Sequence, residues 1–241
     1  GFASVQPSEF LKPVFIVFCA WMLSTVQDTK APPTRAISFF LAVFVAALLA
    51  LQPDFGQAVL ILFGWGVMYF AAGAPFMLIF AMFAATMLAG FIAYSNSEHF
   101  ARRIDGFLST ELDPTTQLGY AANAHTDFII AVAAEEYGLV MVLLLLGLYA
   151  AIVLRTFFRL AREHDLFVRL ACTGLIAVFG AQALINMGVA VRLLPAKGMT
   201  LPFVSYGGSS LIAGGVTLGM ILAFSRTRPN PNKIFMYRRT R

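Results

Sequence analysis

Three polar stretches of this chain carry groups able to act on a ligand. Asp127 stands in AHTDF, where an apolar run begins, and a carboxylate there can take a proton from a hydroxyl within hydrogen-bond reach. Glu9 and Lys12 stand at i and i+3 in QPSEFLK, so on a helix they share one face. Lys197 precedes the Gly-rich stretch VSYGGSS, made of Ser205, Tyr206, Gly207, Gly208 and Ser209 with their neighbours. Paired glycines at a helix start expose backbone N–H groups, an arrangement that suits a phosphate, and a nearby lysine strengthens it. Arg102 and Arg103 lie in the long polar segment 95–128, which also carries His125 and Thr126. Ionisable groups in or at the ends of apolar spans are costly, so each is a candidate for function.

Each also has a structural alternative. Glu9 and Lys12 suit a local ion pair anchoring a helix end, since interfacial lysines often only snorkel. Asp54 follows Pro53 and precedes Gly56 by two residues in QPDFG, which is turn chemistry as readily as function. Asp127 directly follows Thr126 and suits an N-terminal helix cap. His125 is expected to pack or to orient its neighbour rather than bind metal, because no second ligand stands at metal spacing. The glycine pair before the last span also serves helix packing. Glu135 and Glu136 lie about 12 Å beyond Asp127 on a continuous helix, one about 80° off its face and the other opposite. They are expected to tune structure, hydrogen-bonded to other helices through Gln182 and Asn186.

The elements that must hold these groups are membrane spans. The 241 residues are 59% hydrophobic and 12% charged, against about 45–50% and about 25% in soluble domains. Too little polar side chain is present to cover a soluble globule, and the hydrophobicity excludes disorder. Seven apolar runs stand out at 10–26, 36–51, 57–72, 75–94, 126–154, 168–191 and 208–225. They lack the alternation of barrel strands, so the expected fold class is all-α, a polytopic transmembrane helical bundle with seven spans. A single integral-membrane domain over 1–241 is expected, its residues 226–241 a basic cytoplasmic tail. Cys19 and Cys172 lie inside apolar runs and read as small core residues. Twelve of the 17 basic residues fall in one set of connections, from Lys30 and Arg35 through Arg155–Arg169 to the tail. That set is expected on the cytoplasmic side. The tail then accounts for the net charge of +5 beside anionic headgroups, with no nucleic acid involved. Seven spans with a cytoplasmic C-terminus put Gly1 outside, which is expected of a fragment preceded by further spans.

QPSEFLK, QPDFGQA, AHTDFIIAVAAEEYG and LPAKGMTLPFVSYGGSS, in that order and between spans, strongly resemble the SEDS family (shape, elongation, division and sporulation). The lysine in KGMTLPFVSYGGSS favours its cell-division branch over the elongation branch. The resemblance implies ten membrane helices, of which this chain is similar to the last seven. It implies polymerisation of lipid II, an undecaprenyl-pyrophosphate-linked disaccharide peptide, in the inner membrane at the septum. It implies a class B penicillin-binding protein as crosslinking partner, besides other division proteins. The family's essential aspartate matches Asp127, its outer-cavity Glu and Lys match Glu9 and Lys12, and its loop lysine matches Lys197. One departure is a shortened outer loop, in which Asn123 runs directly into the AHTDF motif.

The mechanism implied is inverting glycosyl transfer. Asp127 takes the proton of the acceptor hydroxyl, while Lys197, Lys12, Arg102 and Arg103 stabilise the departing pyrophosphate. His125, Thr126, Glu9 and residues 205–209 complete the substrate-binding set, with Asp54, Glu135 and Glu136 as structural or tuning groups. No metal ligand set and no certain cofactor are expected, though a divalent cation beside the pyrophosphate is compatible with the chemistry. Two alternatives stand beside this reading: a lipid II flippase, for which only Glu135 and Glu136 meet the need for polar groups near the midplane, and a non-catalytic division scaffold or inactive fragment.

Overall fold

The computed structural model describes residues 6–25, 33–52, 54–73, 76–96, 98, 101, 105, 129–190, 200–205 and 207–226. Seven long helices run through them: α1 (Pro7–Ser24), α2 (Thr34–Leu51), α3 (Phe55–Ala71), α4 (Phe76–Asn96), α5 (Ile129–Leu160), α6 (Leu166–Ala190) and α7 (Gly208–Phe224). Their starts are written locally. Pro7 opens α1, where its missing N–H costs nothing. Asp54 caps α3 by accepting from the Gln57 N–H at 3.3 Å. Asp165 does the same for α6, taking the Phe167 and Val168 N–H groups at 2.9 and 3.3 Å.

The all-α, multi-span expectation holds. Four helical segments are long and apolar enough to cross a membrane: Pro7–Ser24, Thr34–Leu51, Val140–Leu160 and Leu166–Val189. Helices α3 and α7 are apolar but have 17 residues each, about 26 Å at 1.5 Å per residue against a hydrocarbon core of about 30 Å. Flanking residues must complete their crossings. Large apolar side chains such as Phe40, Phe44, Leu51 and Phe80 are exposed on the outside of the bundle.

Helix α5 departs from expectation. Its apolar crossing is 140–160 rather than 126–154, and its backbone leaves the helical path at Gly138 (φ 73°, ψ −175°). That conformation is essentially restricted to glycine. Glu135 and Glu136 lie on the helical segment just before the break. Residues 129–137, before the break, are helical, and Asp127 lies outside the described residues.

Helix α6 is the centre of the bundle and packs against α1, α3, α5 and α7. Residues 171–180 are buried without interruption. Close approach is made by glycines. A Cβ on Gly64 would lie 2.2 Å from Val178, and one on Gly174 would lie 2.6 Å from Ile16. Small residues at crossings let dispersion contacts replace the missing hydrophobic drive in lipid. Trp65 is fully buried, stacks on Tyr69 with ring centroids 4.5 Å apart, and donates its indole N–H to Ser38 at 3.0 Å. Cys19 and Cys172 are both free and buried, as small core residues.

Candidate active site

At one end of α1 a polar network lies inside the bundle. The Lys12 ammonium donates to Glu9 Oε2 and to Gln182 Oε1, each at 2.7 Å. Glu9 Oε1 accepts from Gln57 Nε2 at 2.8 Å. Glu9, Lys12, Gln57 and Gln182 are all 4% exposed or less. A snorkelling surface pair would keep its charges in water. Here the charges are desolvated and held by two amides from other helices, the arrangement a buried pair needs in order to persist. The i, i+3 spacing set the pair on one face, and α3 and α6 supply the amides.

The network continues into the segment before α7. Gln182 Nε2 donates to the Thr200 carbonyl at 2.9 Å, and Thr200 Oγ1 donates to Ser210 Oγ at 2.7 Å. Ser205 Oγ accepts from the Leu201 N–H at 2.8 Å, and the Tyr149 hydroxyl donates to the Pro202 carbonyl. Phe203 holds a positive φ of 68° and sets its ring over Gly214, where a Cβ would approach within 3.3 Å. Three helices, α5, α6 and α7, thus fix the strand of chain that leads into the Gly-rich motif. A cavity of about 20 Å³ between Glu9, Lys12, Gln182 and Ser210 accommodates about one water molecule.

At the start of α7, Gly207 is the N-cap and no side chain caps the helix. A Cβ on Gly208 would meet only open space, so its backbone is accessible to a ligand. Ser205 is buried and engaged by Leu201, whereas Ser209 is half-buried. Asp54 lies at the edge of the network. Burial pushes its carboxyl above the usual carboxylate range, opposed by the Gln57 N–H, Lys12 and Ser8, while Glu9 adds to the rise.

Several candidates fall elsewhere. Asp127, His125, Thr126, Arg102, Arg103, Lys197 and Tyr206 lie outside the described residues, as does the tail from 227. Glu135 and Glu136 are placed by their backbone on α5. Gln182 bonds Lys12 and the Thr200 carbonyl. Gln57 was not singled out as a site residue, although an amide among apolar residues is a signal that could have found it. Among the described residues no three His, Cys, Asp or Glu side chains gather as a metal site.

The sequence and the fold have known counterparts. The chain is 40% identical to the probable peptidoglycan glycosyltransferase FtsW of Caulobacter vibrioides over 94% of its own length and 64% of that protein's. It is 36% identical to the protein of the same description from Thiomicrospira cyclica, over 90% and 64%. The chain therefore spans somewhat less than two thirds of these relatives. Among solved structures it resembles a chain described under structural coordination of polymerization and crosslinking by a peptidoglycan synthase complex. The TM-score is 0.76 at 33% identity, over 95% of this chain and 73% of that one. The rod shape determining protein RodA of Thermus thermophilus gives 0.68 at 32% identity, over 93% and 67%. The family model of the FtsW, RodA and SpoVE cell cycle proteins matches residues 1–120 and 113–230, two stretches that meet close to the shortened outer loop. With nearly the whole chain matched and the fold shared, it belongs to the FtsW/RodA/SpoVE family of cell cycle proteins.

Proposed function

We propose that this chain is the larger part of a peptidoglycan glycosyltransferase that polymerises lipid II at the outer face of the bacterial inner membrane. The observation that carries the proposal is the buried Glu9–Lys12–Gln182–Thr200 chain of hydrogen bonds, which fixes the approach to the uncapped N-terminus of α7. Transfer from a polyprenyl pyrophosphate releases an anion, and preorganised N–H donors and cations stabilise it best in a water-poor site. The α7 start and Lys197 take that role. Arg102 and Arg103 bind the same anion from the outer loop, and a divalent cation can share it.

Asp127 is the general base. It removes the proton of the acceptor sugar hydroxyl as that oxygen attacks the anomeric carbon of the donor. The bond to the pyrophosphate oxygen breaks, with inversion. His125 and Thr126 position Asp127. Glu9 and Lys12 position the 200–205 segment. The basic connections and the tail face the cytoplasm, and the protein works at the septum with a class B penicillin-binding protein that crosslinks its product. The names of the relatives support this reading.

The experiment is polymerisation of labelled lipid II by the full-length protein with its partner. Asp127→Asn is expected to reduce glycan synthesis at least 100-fold, the lower bound of general-base catalysis being about that size. Wild-type rates from this variant would refute the assignment.

A further inference from the structure

The opposite end of the bundle holds a second charged feature with no part in the reaction. Arg155, Arg159 and Arg162 on α5 fall within about 60° of one another around the helix at 100° per residue, and all three are exposed. Leu144 and Leu148, which are 61% and 55% exposed, continue the same stripe towards the middle of the membrane. Arg159 donates to the Ser225 carbonyl at the end of α7, which closes one wall of a cleft of about 460 Å³. Phe158, Arg159, Arg162, Glu163 and Ser225 line it. Arg169 and Arg226 are exposed at the same end.

Neither local acid, Glu163 or Asp165, is ion-paired with these arginines. Glu163 Oε1 accepts from the N–H groups of His164 and Asp165 at 3.1 and 3.2 Å, and Asp165 caps α6. The ion pair found among the described residues is Glu9–Lys12, at the far end. Nor can the chain's own tail serve as counter-charge, since 226–241 holds six basic residues and no acid. Planar guanidinium groups recognise phosphate through paired N–H donors. An exposed apolar stripe directly below them suits an amphiphile with its charge above its chains.

We propose that the cleft between the ends of α5 and α7 binds the phosphate headgroup of an anionic membrane phospholipid. Its acyl chains lie along Leu148 and Leu144. The charge bias of the connections puts this site in the cytoplasmic leaflet.

The test is native mass spectrometry of the full chain in detergent, with phosphatidylglycerol and phosphatidylcholine added in equal amounts. Wild type is expected to retain phosphatidylglycerol preferentially. Arg155→Gln/Arg159→Gln/Arg162→Gln is expected to lose that retention about ten-fold or more, each basic residue near a charged lipid contributing several-fold. Arg35→Gln, on α2, is expected to keep it. Because Arg159 also braces α7, the single variant Arg162→Gln provides the measurement if the triple variant is not monodisperse, with about a three-fold loss expected. Equal retention of both lipids by wild type, or undiminished phosphatidylglycerol on Arg162→Gln, would overturn the proposal. Arginine-dependent capture of poly-glutamate without capture of phosphatidylglycerol would make the cleft a protein-docking surface and equally sink the lipid assignment.

Discussion

The Glu9–Lys12 pair shows why single side chains here have large effects. Both charges are buried, and each relies on the other and on one amide. Removing one partner leaves an uncompensated charge in a low-dielectric interior, at a cost of about 3–5 kcal/mol. Removing both together avoids that penalty. Lys12→Met and Glu9→Gln are therefore each expected to lower thermal stability in detergent strongly, while the double variant loses less than the sum. Additive losses in a double-mutant cycle would refute the coupling. The pair itself was legible, because i, i+3 spacing on an amphipathic start puts the two groups together. Its partners were not. Gln57 and Gln182 stand 48 and 170 residues away from the groups they bind, and no local pattern reports which helices meet across a bundle.

At the scale of elements, apolar runs gave every helix to within a few residues, except α5. Hydrophobicity marks where a helix can sit in lipid, but it does not mark where a backbone leaves the helical path. A lone glycine in an apolar run is tolerated in a helix, so Gly138 carried no distinct signal in AEEYG. The glycines at the centre are a separate case. Gly174 lies against Ile16 and Met68, and Gly64 against Val178, so these crossings admit no larger side chain without displacement. Gly174→Leu is expected to destabilise the bundle by about 1–3 kcal/mol through overpacking. The loss should appear as a lowered unfolding midpoint in detergent. Gly147→Ala is the control, since a Cβ there meets open space. Equal effects of the two would refute the packing account.

Across the whole molecule, α6 is the buried axis and α5 the periphery. Of the apolar 18-residue stretch in each, 78% is buried in α6 and 6% in α5. Composition announced a membrane protein but could not rank its helices, because lipid-facing and core-facing residues are equally apolar. Peripheral α5 nonetheless reaches the site through the Tyr149 hydroxyl on Pro202. Tyr149→Phe removes one hydrogen bond, worth about 0.5–1.5 kcal/mol, while its ring can stay against Phe179. The expected outcome is a small change in stability with a several-fold drop in polymerisation by the full-length protein. An unchanged rate would show that the 200–205 segment needs no support from α5.

The break at Gly138 divides α5 into two mechanical parts. A stiff rod would carry any tilt of its N-terminal end along its whole length to the arginines at the other end. A joint of this kind absorbs the tilt instead. Residues 129–137 can then turn as a short lever while the longer part keeps its packing against α6.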